Sequence, residues 1–197
     1  MARINPVPEQ DLPEEVKLAL QGARSRLTQF TGRELERGIE PMELSAHVPG
    51  LFAAMSAFGQ ASVYLTGIDE RTRALAQLKA ATMTQCEYCI DVGSLIARQW
   101  GLTDEELLAL PNYRVSPLFS EVDKLVLDYA VGMSRTPVDV PDELFEALKK
   151  HFDDAQLVEL THVIARENMA GRFNVALGVG AAGFSEGMVC AVPVGVP

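Results

Sequence analysis

Three times along the chain, a residue able to cap a helix stands three positions before Glu or Gln. These are Thr84-Gln85-Cys86-Glu87, Thr103-Asp104-Glu105-Glu106 and Asp153-Asp154-Ala155-Gln156. Such a pair satisfies two of the N–H groups that a helix start leaves without partners, so each marks a helix N-terminus. Val122, Leu125, Val126, Tyr129, Ala130 and Met133 recur at helical spacing, the stripe of a core-facing helix. No stretch alternates with period two between turn signals, as the strands of a half-buried sheet would. The chain is therefore expected to be all-α.

The remaining elements follow from breakers and caps. Pro6, Pro8 and Pro13 oppose regular structure, so residues 1–12 read as an extended arm ahead of a helix at about 13–30. Pro49 suits a first helical turn and opens a second helix running to about Tyr64. Asp69 caps a third at about 70–83, with Leu75, Leu78 and Ala81 on one side. A short helix after Thr103 ends at Pro111, and "PDELFEALKKHF" and "DAQLVELTHVIARENMAGRFNVAL" supply the last ones. Residues 13–177 are expected to form one domain, with 178–197 an irregular tail rich in Gly and Pro.

A chain of 197 residues, 48% hydrophobic and 22% charged, has ample material for a core. Its formal net charge of −10 and the absence of a Lys/Arg run argue against nucleic acid or an anionic membrane as partner. The start, "MARINPVPEQDLPEEVK", has prolines and acids where a signal peptide needs an apolar core, and "VALGVGAAGF" at 175–184 is too short to span a bilayer. A cytoplasmic location is expected. Three cysteines in a reducing compartment do not make a permanent disulfide framework, so any disulfide here is expected to be made and broken.

The chemistry centres on "TQCEYCIDVGS", residues 84–94. With Thr84 as cap, Cys86 is the second helical residue and Cys89 the fifth. Residues three apart share a helix face, so the two sulfurs can meet. Cys86 then lies where free N–H groups and the helix dipole favour a thiolate, while Glu87 and Asp91 oppose it. A redox dithiol, half of a zinc site and two buried hydrophobic residues all fit the bare motif. Zinc needs four ligands, and Cys190, His47, His151 and His162 offer none at ligand spacing. No metal or organic cofactor is expected. "GVGAAG" at 178–183 matches a dinucleotide-binding pattern by letter. It follows a helix rather than a strand, so its glycines read as a helix end. Cys190, in the tail, reads as a free surface or interface thiol that could also resolve a mixed disulfide.

The segment "RALAQLKAATMTQCEYCIDVGSLIARQWGLTDEEL" resembles the core of the carboxymuconolactone decarboxylase / alkylhydroperoxidase AhpD-like superfamily, and "LVELTHVIARENMAGRFNVALGVGAAGFSEG" resembles the end of its longer members. The likeness runs from about residue 40 to 188. It implies an AhpD-like helical bundle with a CxxC at a helix N-terminus, assembled as a homo-oligomer. The decarboxylases generally lack the cysteine pair, whereas AhpD-like members use it to reduce peroxides or exchange disulfides. The family pattern also places a glutamate twelve positions before the first cysteine and a histidine four after the second. Those positions here are Ala74 and Gly93, so both members of that proton relay are missing.

Residues that could stand in are Glu70, one turn before Ala74, Tyr88 inside the motif, His47, and His162, Glu167 and Asn168 of the late helix. Each also has a plain structural reading: a solvated first-turn acid, a packing ring, a cap. Which sulfur attacks first is left open. The resemblance implies a thiol-dependent oxidoreductase in which Cys86 and Cys89 reduce an organic hydroperoxide or a disulfide, restored by an external thiol reductant. The alternatives are a non-peroxidatic structural or binding member, and a cofactor-free enzyme of the lactone decarboxylase kind.

Overall fold

A computed structural model describes residues 2–191 and 193, with Val63 described by its backbone alone. Among the described residues there are nine α-helices and no strand. They are α1 (Glu14–Thr31), α2 (Glu40–Ser45), α3 (Pro49–Val63), α4 (Glu70–Thr84), α5 (Glu87–Gln99), α6 (Asp104–Ala109), α7 (Glu121–Ser134), α8 (Asp142–Leu148) and α9 (Asp154–Leu177). The expected all-α class is what forms. Within the expected arm, residues 9–11 make a 3-10 turn. Positions 192 and 194–197 of the expected tail, and Met1 of the arm, lie outside the described residues.

The centre of the molecule is α4. Ala74, Leu75, Ala76, Leu78, Lys79, Ala80, Ala81 and Thr82 are all buried. A helix covered on nearly every side must be wrapped by others, and its small residues let them approach closely. Helices α5, α7 and α9 do the wrapping and share its core with α8 and the loops between. Lys79 tolerates burial by donating to the Leu110 carbonyl at 3.2 Å and standing 4.7 Å from the centre of the Tyr113 ring. Desolvation nevertheless lowers its ammonium pKa to about 8.

A smaller cluster, Leu12, Val16, Leu20, Ala23, Ile39, Ala46 and Phe52, joins the end of the arm to α1, α2 and α3. Helix α3 buries few of its many apolar residues. Leu51 and Phe58 remain 43% exposed each, with Val48 beside them at 55%. No helix among the described residues is long and apolar enough to cross a membrane.

Capping matches two of the three sequence signals. Thr103 with Glu106 and Asp153 with Gln156 form complete capping boxes. A further box, Ser120 with Asp123, opens α7 with Asp in the position where Glu or Gln is usual. Thr84 behaves differently. Its hydroxyl turns back to the Ala81 carbonyl at 3.1 Å, α4 runs on through it, and Gln85 ends the helix in the left-handed region at φ 54°. The new helix therefore begins two residues late, with Cys86 itself as the cap.

One close approach fixes how α9 lies on this corner. A Cβ at Gly171 would collide with the Thr84 side chain. Gly171→Ala is therefore expected to cost about 1–3 kcal/mol by forcing α9 away from the end of α4. A denaturant titration with unchanged slope would measure it, and an unchanged midpoint would contradict the close approach.

Candidate active site

The turn at Gln85 places the two cysteines. Cys86 adopts extended backbone, and its Sγ accepts the Cys89 N–H at 3.2 Å, the bond a capping oxygen would otherwise make. Cys89 is thus the third residue of α5 rather than the fifth, and the shared-face argument survives the correction because the spacing is unchanged. The Cα atoms are 5.2 Å apart and the sulfurs are joined as a disulfide. Sulfur at a helix cap sits among unpaired N–H groups, which favour a thiolate, while the complete burial of Cys86 acts against it.

The two sulfurs face different surroundings. Cys86 is completely buried. Cys89 lines a cavity of about 310 Å³ between α4, α5 and α9, closed by Pro41 and Met55. Its wall is mainly apolar, with Leu78, Val92, Ile96 and Phe173 supplying much of it, and its polar members are Gln77, Arg166, Glu167 and Asn174. A second cavity of about 450 Å³, under α1 and α3, shares the walls Pro41, Met55, Arg166 and Ala170 with the first.

Asn174, buried on α9, aims its amide at the disulfide. Its Nδ2 donates to Cys89 Sγ at 3.5 Å and to Cys86 Sγ at 3.7 Å. Its Oδ1 is buried with no hydrogen-bond partner among the described residues. A buried acceptor without a partner is costly, and an S–H of the reduced pair is the kind of donor that would relieve it. Asn174 is separated from Cys89 by 85 positions, and no motif announces it.

Glu167 enters the cavity from the same helix. Among the described residues it has no hydrogen bond or ion pair. Burial pushes its carboxyl up to about 7, the adjacent Arg166 charge only partly opposing.

The other residues marked in the sequence are scattered. Tyr88 lines the cavity, but its hydroxyl donates to the Gly38 carbonyl at 2.6 Å and its ring meets Phe184 edge-on. Burial raises its pKa, so it stays a neutral wall residue. Glu70 is exposed at the first turn of α4, and that helix's 15 residues put about 20 Å between it and the cysteine end. His47 is exposed and bonds the Asn5 carbonyl at 2.8 Å, fastening the arm. His162 pairs with Ser62 Oγ at 3.0 Å and stacks edge-on with Phe58. None of these three lines the cavity. Asn168 is buried between Ser134 and Arg172 and serves the packing of α7 on α9.

The positions of the missing relay are equally plain. Ala74 is buried in the body of α4. Gly93 lines the cavity, and a Cβ there would stand 3.1 Å from Leu78 Cδ1. The Leu78 side chain crowds the space that a larger residue at 93 would need.

Asp91, expected to weaken a thiolate by its charge, has that charge absorbed. Its carboxylate accepts the N–H groups of Ala182, Gly183, Phe184 and Ser185 at 2.7–3.0 Å. The letters that mimic a dinucleotide-binding loop thus lead into a nest of N–H groups occupied by the protein's own carboxylate. Gly178 ends α9 at φ 72°, as the helix-end reading of those glycines expects. Cys190 lies half-buried against the main core. No cluster of three or more metal-ligating side chains occurs among the described residues.

Comparison with known proteins places this architecture. Residues 49–130 match the model of the carboxymuconolactone decarboxylase family. The chain is 36% identical to the uncharacterized protein YnjA of Escherichia coli over 157 residues, 79% of this chain and 83% of that protein. Among solved structures, the debrominase Bmp8 superposes with a TM-score of 0.74 at 18% identity, covering 92% of this chain and 93% of that one. An AhpD-core, peroxidase-related protein from Ralstonia eutropha JMP134 does so with a TM-score of 0.70 at 20% identity, covering 91% and 92%. At these identities the two structures speak for the fold. A family model over the cysteine-bearing helices, a relative at 36% identity and the shared bundle agree: the chain belongs to the carboxymuconolactone decarboxylase / AhpD-like superfamily.

Proposed function

We propose that this protein is a thiol-dependent oxidoreductase that reduces organic hydroperoxides through a Cys86/Cys89 dithiol–disulfide cycle, with Cys89 the attacking sulfur. The observation that carries this is the asymmetry of the pair. One sulfur lines a mostly apolar cavity large enough for a small organic molecule, and the other is sealed behind it at bonding distance. The Cys89 thiolate attacks the terminal peroxide oxygen, leaving a sulfenic acid and an alcohol. Cys86 condenses with that sulfenic acid, the disulfide forms and water leaves. An external thiol reductant attacks at the cavity-facing Cys89, and Cys86 departs as the thiolate favoured by its cap position. A homo-oligomer is part of the reading, supported by the exposed apolar face of α3. A cytoplasmic setting, where a reductant is at hand, is also part of it.

A second reading draws on Glu167. A carboxyl near neutrality in an apolar cavity suits cofactor-free proton transfer of the lactone decarboxylase kind, which would leave the cysteines idle. Reduced protein mixed with one equivalent of cumene hydroperoxide separates the two. The first reading expects the 86–89 disulfide, seen by mass spectrometry as a loss of two hydrogens, with one equivalent of alcohol formed. Peroxide left unconsumed and thiols left free would remove the peroxidase reading.

A further inference from the structure

Ala74 and Gly93 leave the cavity without the proton relay of the family pattern. We infer that Glu167 of α9 is the acid–base group of the cavity, taking the Cys89 thiol proton and passing it to the leaving alkoxide. This rests on the thiol reading above and assigns the proton path within it.

The geometry carries the inference. Glu167 and Cys89 open on one cavity, and Glu167 has no hydrogen bond or ion pair among the described residues that would occupy its carboxyl elsewhere. The other buried or half-buried carboxylates behave differently. Glu159 is held by Arg73 and the Gly67 N–H, Glu106 and Asp123 by Arg71, Glu40 by Arg37, and Asp91 by four N–H groups. Glu167 is half-buried, so its carboxyl faces the cavity without a fixed partner, as a group that must take up and return a proton requires.

Of the charged and titratable groups on the elements packed around it, Arg166 of α9 and Tyr88 and Cys89 of α5 line the cavity. From α2, α3 and α4 come Pro41, Met55, Gln77 and Leu78, none of which titrates. Burial holds the Glu167 carboxyl near 7, where it can both accept and return a proton under neutral conditions.

The step balances. The Glu167 carboxylate takes the thiol proton. The thiolate forms an S–O bond to the terminal oxygen of R–O–O–H as the O–O bond breaks, and the alkoxide leaves with the proton held by Glu167. The sulfur is oxidised by two electrons and the peroxide reduced by two. In the condensation that follows, the Cys86 thiol proton leaves with the hydroxide as water.

Single-turnover disulfide formation with cumene hydroperoxide, followed from pH 5.5 to 9.5 by mass spectrometry of quenched samples, tests this. The wild-type rate is expected to rise through an inflection near 7. In Glu167→Gln that inflection should vanish, leaving only the rise of an unassisted thiol near 8.5, and the rate at pH 7 should fall by about 30- to 100-fold. Glu167→Asp should restore part of the rate and keep an inflection below 8.

The fold supplies a control. A carboxyl whose pKa is raised on folding destabilises the protein as pH climbs from its unfolded value to its folded one, and that cost is complete above 7. Glu167→Gln should therefore melt no lower than wild type at pH 8. A wild-type profile without an inflection between 6 and 8, or a Gln variant within two-fold of wild type at pH 7, would overturn the inference while leaving the dithiol cycle intact. Failure of wild type to form the 86–89 disulfide at any pH would remove both.

Discussion

Cys89→Ser is expected to abolish hydroperoxide consumption, a loss of about 10³-fold or more, the scale of removing a covalent nucleophile. Cys86→Ser should behave differently, because the two sulfurs are not equivalent in place. The serine hydroxyl is itself a preferred cap and can take over the Cys89 N–H that Cys86 Sγ now accepts, so α5 keeps its start. Cys89 still lines the cavity and still reacts once. With no neighbouring thiol to condense with, its sulfenic acid persists, is trapped by dimedone, and passes to sulfinic acid when peroxide is in excess. Intact-mass spectrometry after one and ten equivalents of peroxide reads both outcomes. If Cys89→Ser turns over and Cys86→Ser does not, the order of attack is reversed. If both turn over at the wild-type rate, the cysteines are bystanders and the proton-transfer reading takes their place.

What made the cysteines readable was local spacing. A CxxC at a helix start is a short-range signal, and any small slip in the cap leaves the two sulfurs on one face. The slip itself had a physical cause. Thr84 and Glu87 have the letters of a capping box, but a threonine can also bond backward within its own helix. A left-handed Gln85 then delivers the break one residue later. The helical class, the starts at Thr103 and Asp153, and α4 with its Asp69 cap were readable for the same local reason. Short α2 carries too few turns to show a period.

The remaining half of the site is made by packing. Asn174 touches the two sulfurs and Glu167 shares the cavity of Cys89 because α9 packs on α4 and α5, and no periodicity encodes that packing. Glu70, His47 and His162 have suitable chemistry and the wrong address: one faces solvent, one ties the arm, and one pairs with α3. Chemistry-bearing letters are common. Those left without a partner inside a cavity are few, and only three dimensions single them out.

Asp91→Ala is expected to be the most destabilising single substitution near the site, at about 3–5 kcal/mol. The carboxylate is buried and collects four backbone N–H groups from residues 182–185, while its own carbonyl accepts the Ser185 hydroxyl at 2.8 Å. Each buried donor deprived of its acceptor costs about 1–3 kcal/mol, and bonds to a charged acceptor are the stronger kind. Partial turning of the loop toward water keeps the total below a simple sum. For a chain of this length, the melting temperature should fall by about 10 °C. Asp91→Asn keeps one acceptor oxygen but sets an NH₂ against N–H donors, so it should fall between wild type and Ala. The effect should reach the cavity as well. Phe184, fully buried, is held in place by this nest and braces the Tyr88 ring at 5.6 Å, and Tyr88 is part of the cavity wall beside Cys89. Loosening the nest should expose the chain after Leu177 to limited proteolysis and speed alkylation of Cys190, which is half-buried against the main core. An Ala variant that melts within about 1 °C of wild type, with its tail still protected, would mean that the hydrogen bonds from Ser94 to Ala191 and from Arg98 to Val189 hold the segment without Asp91.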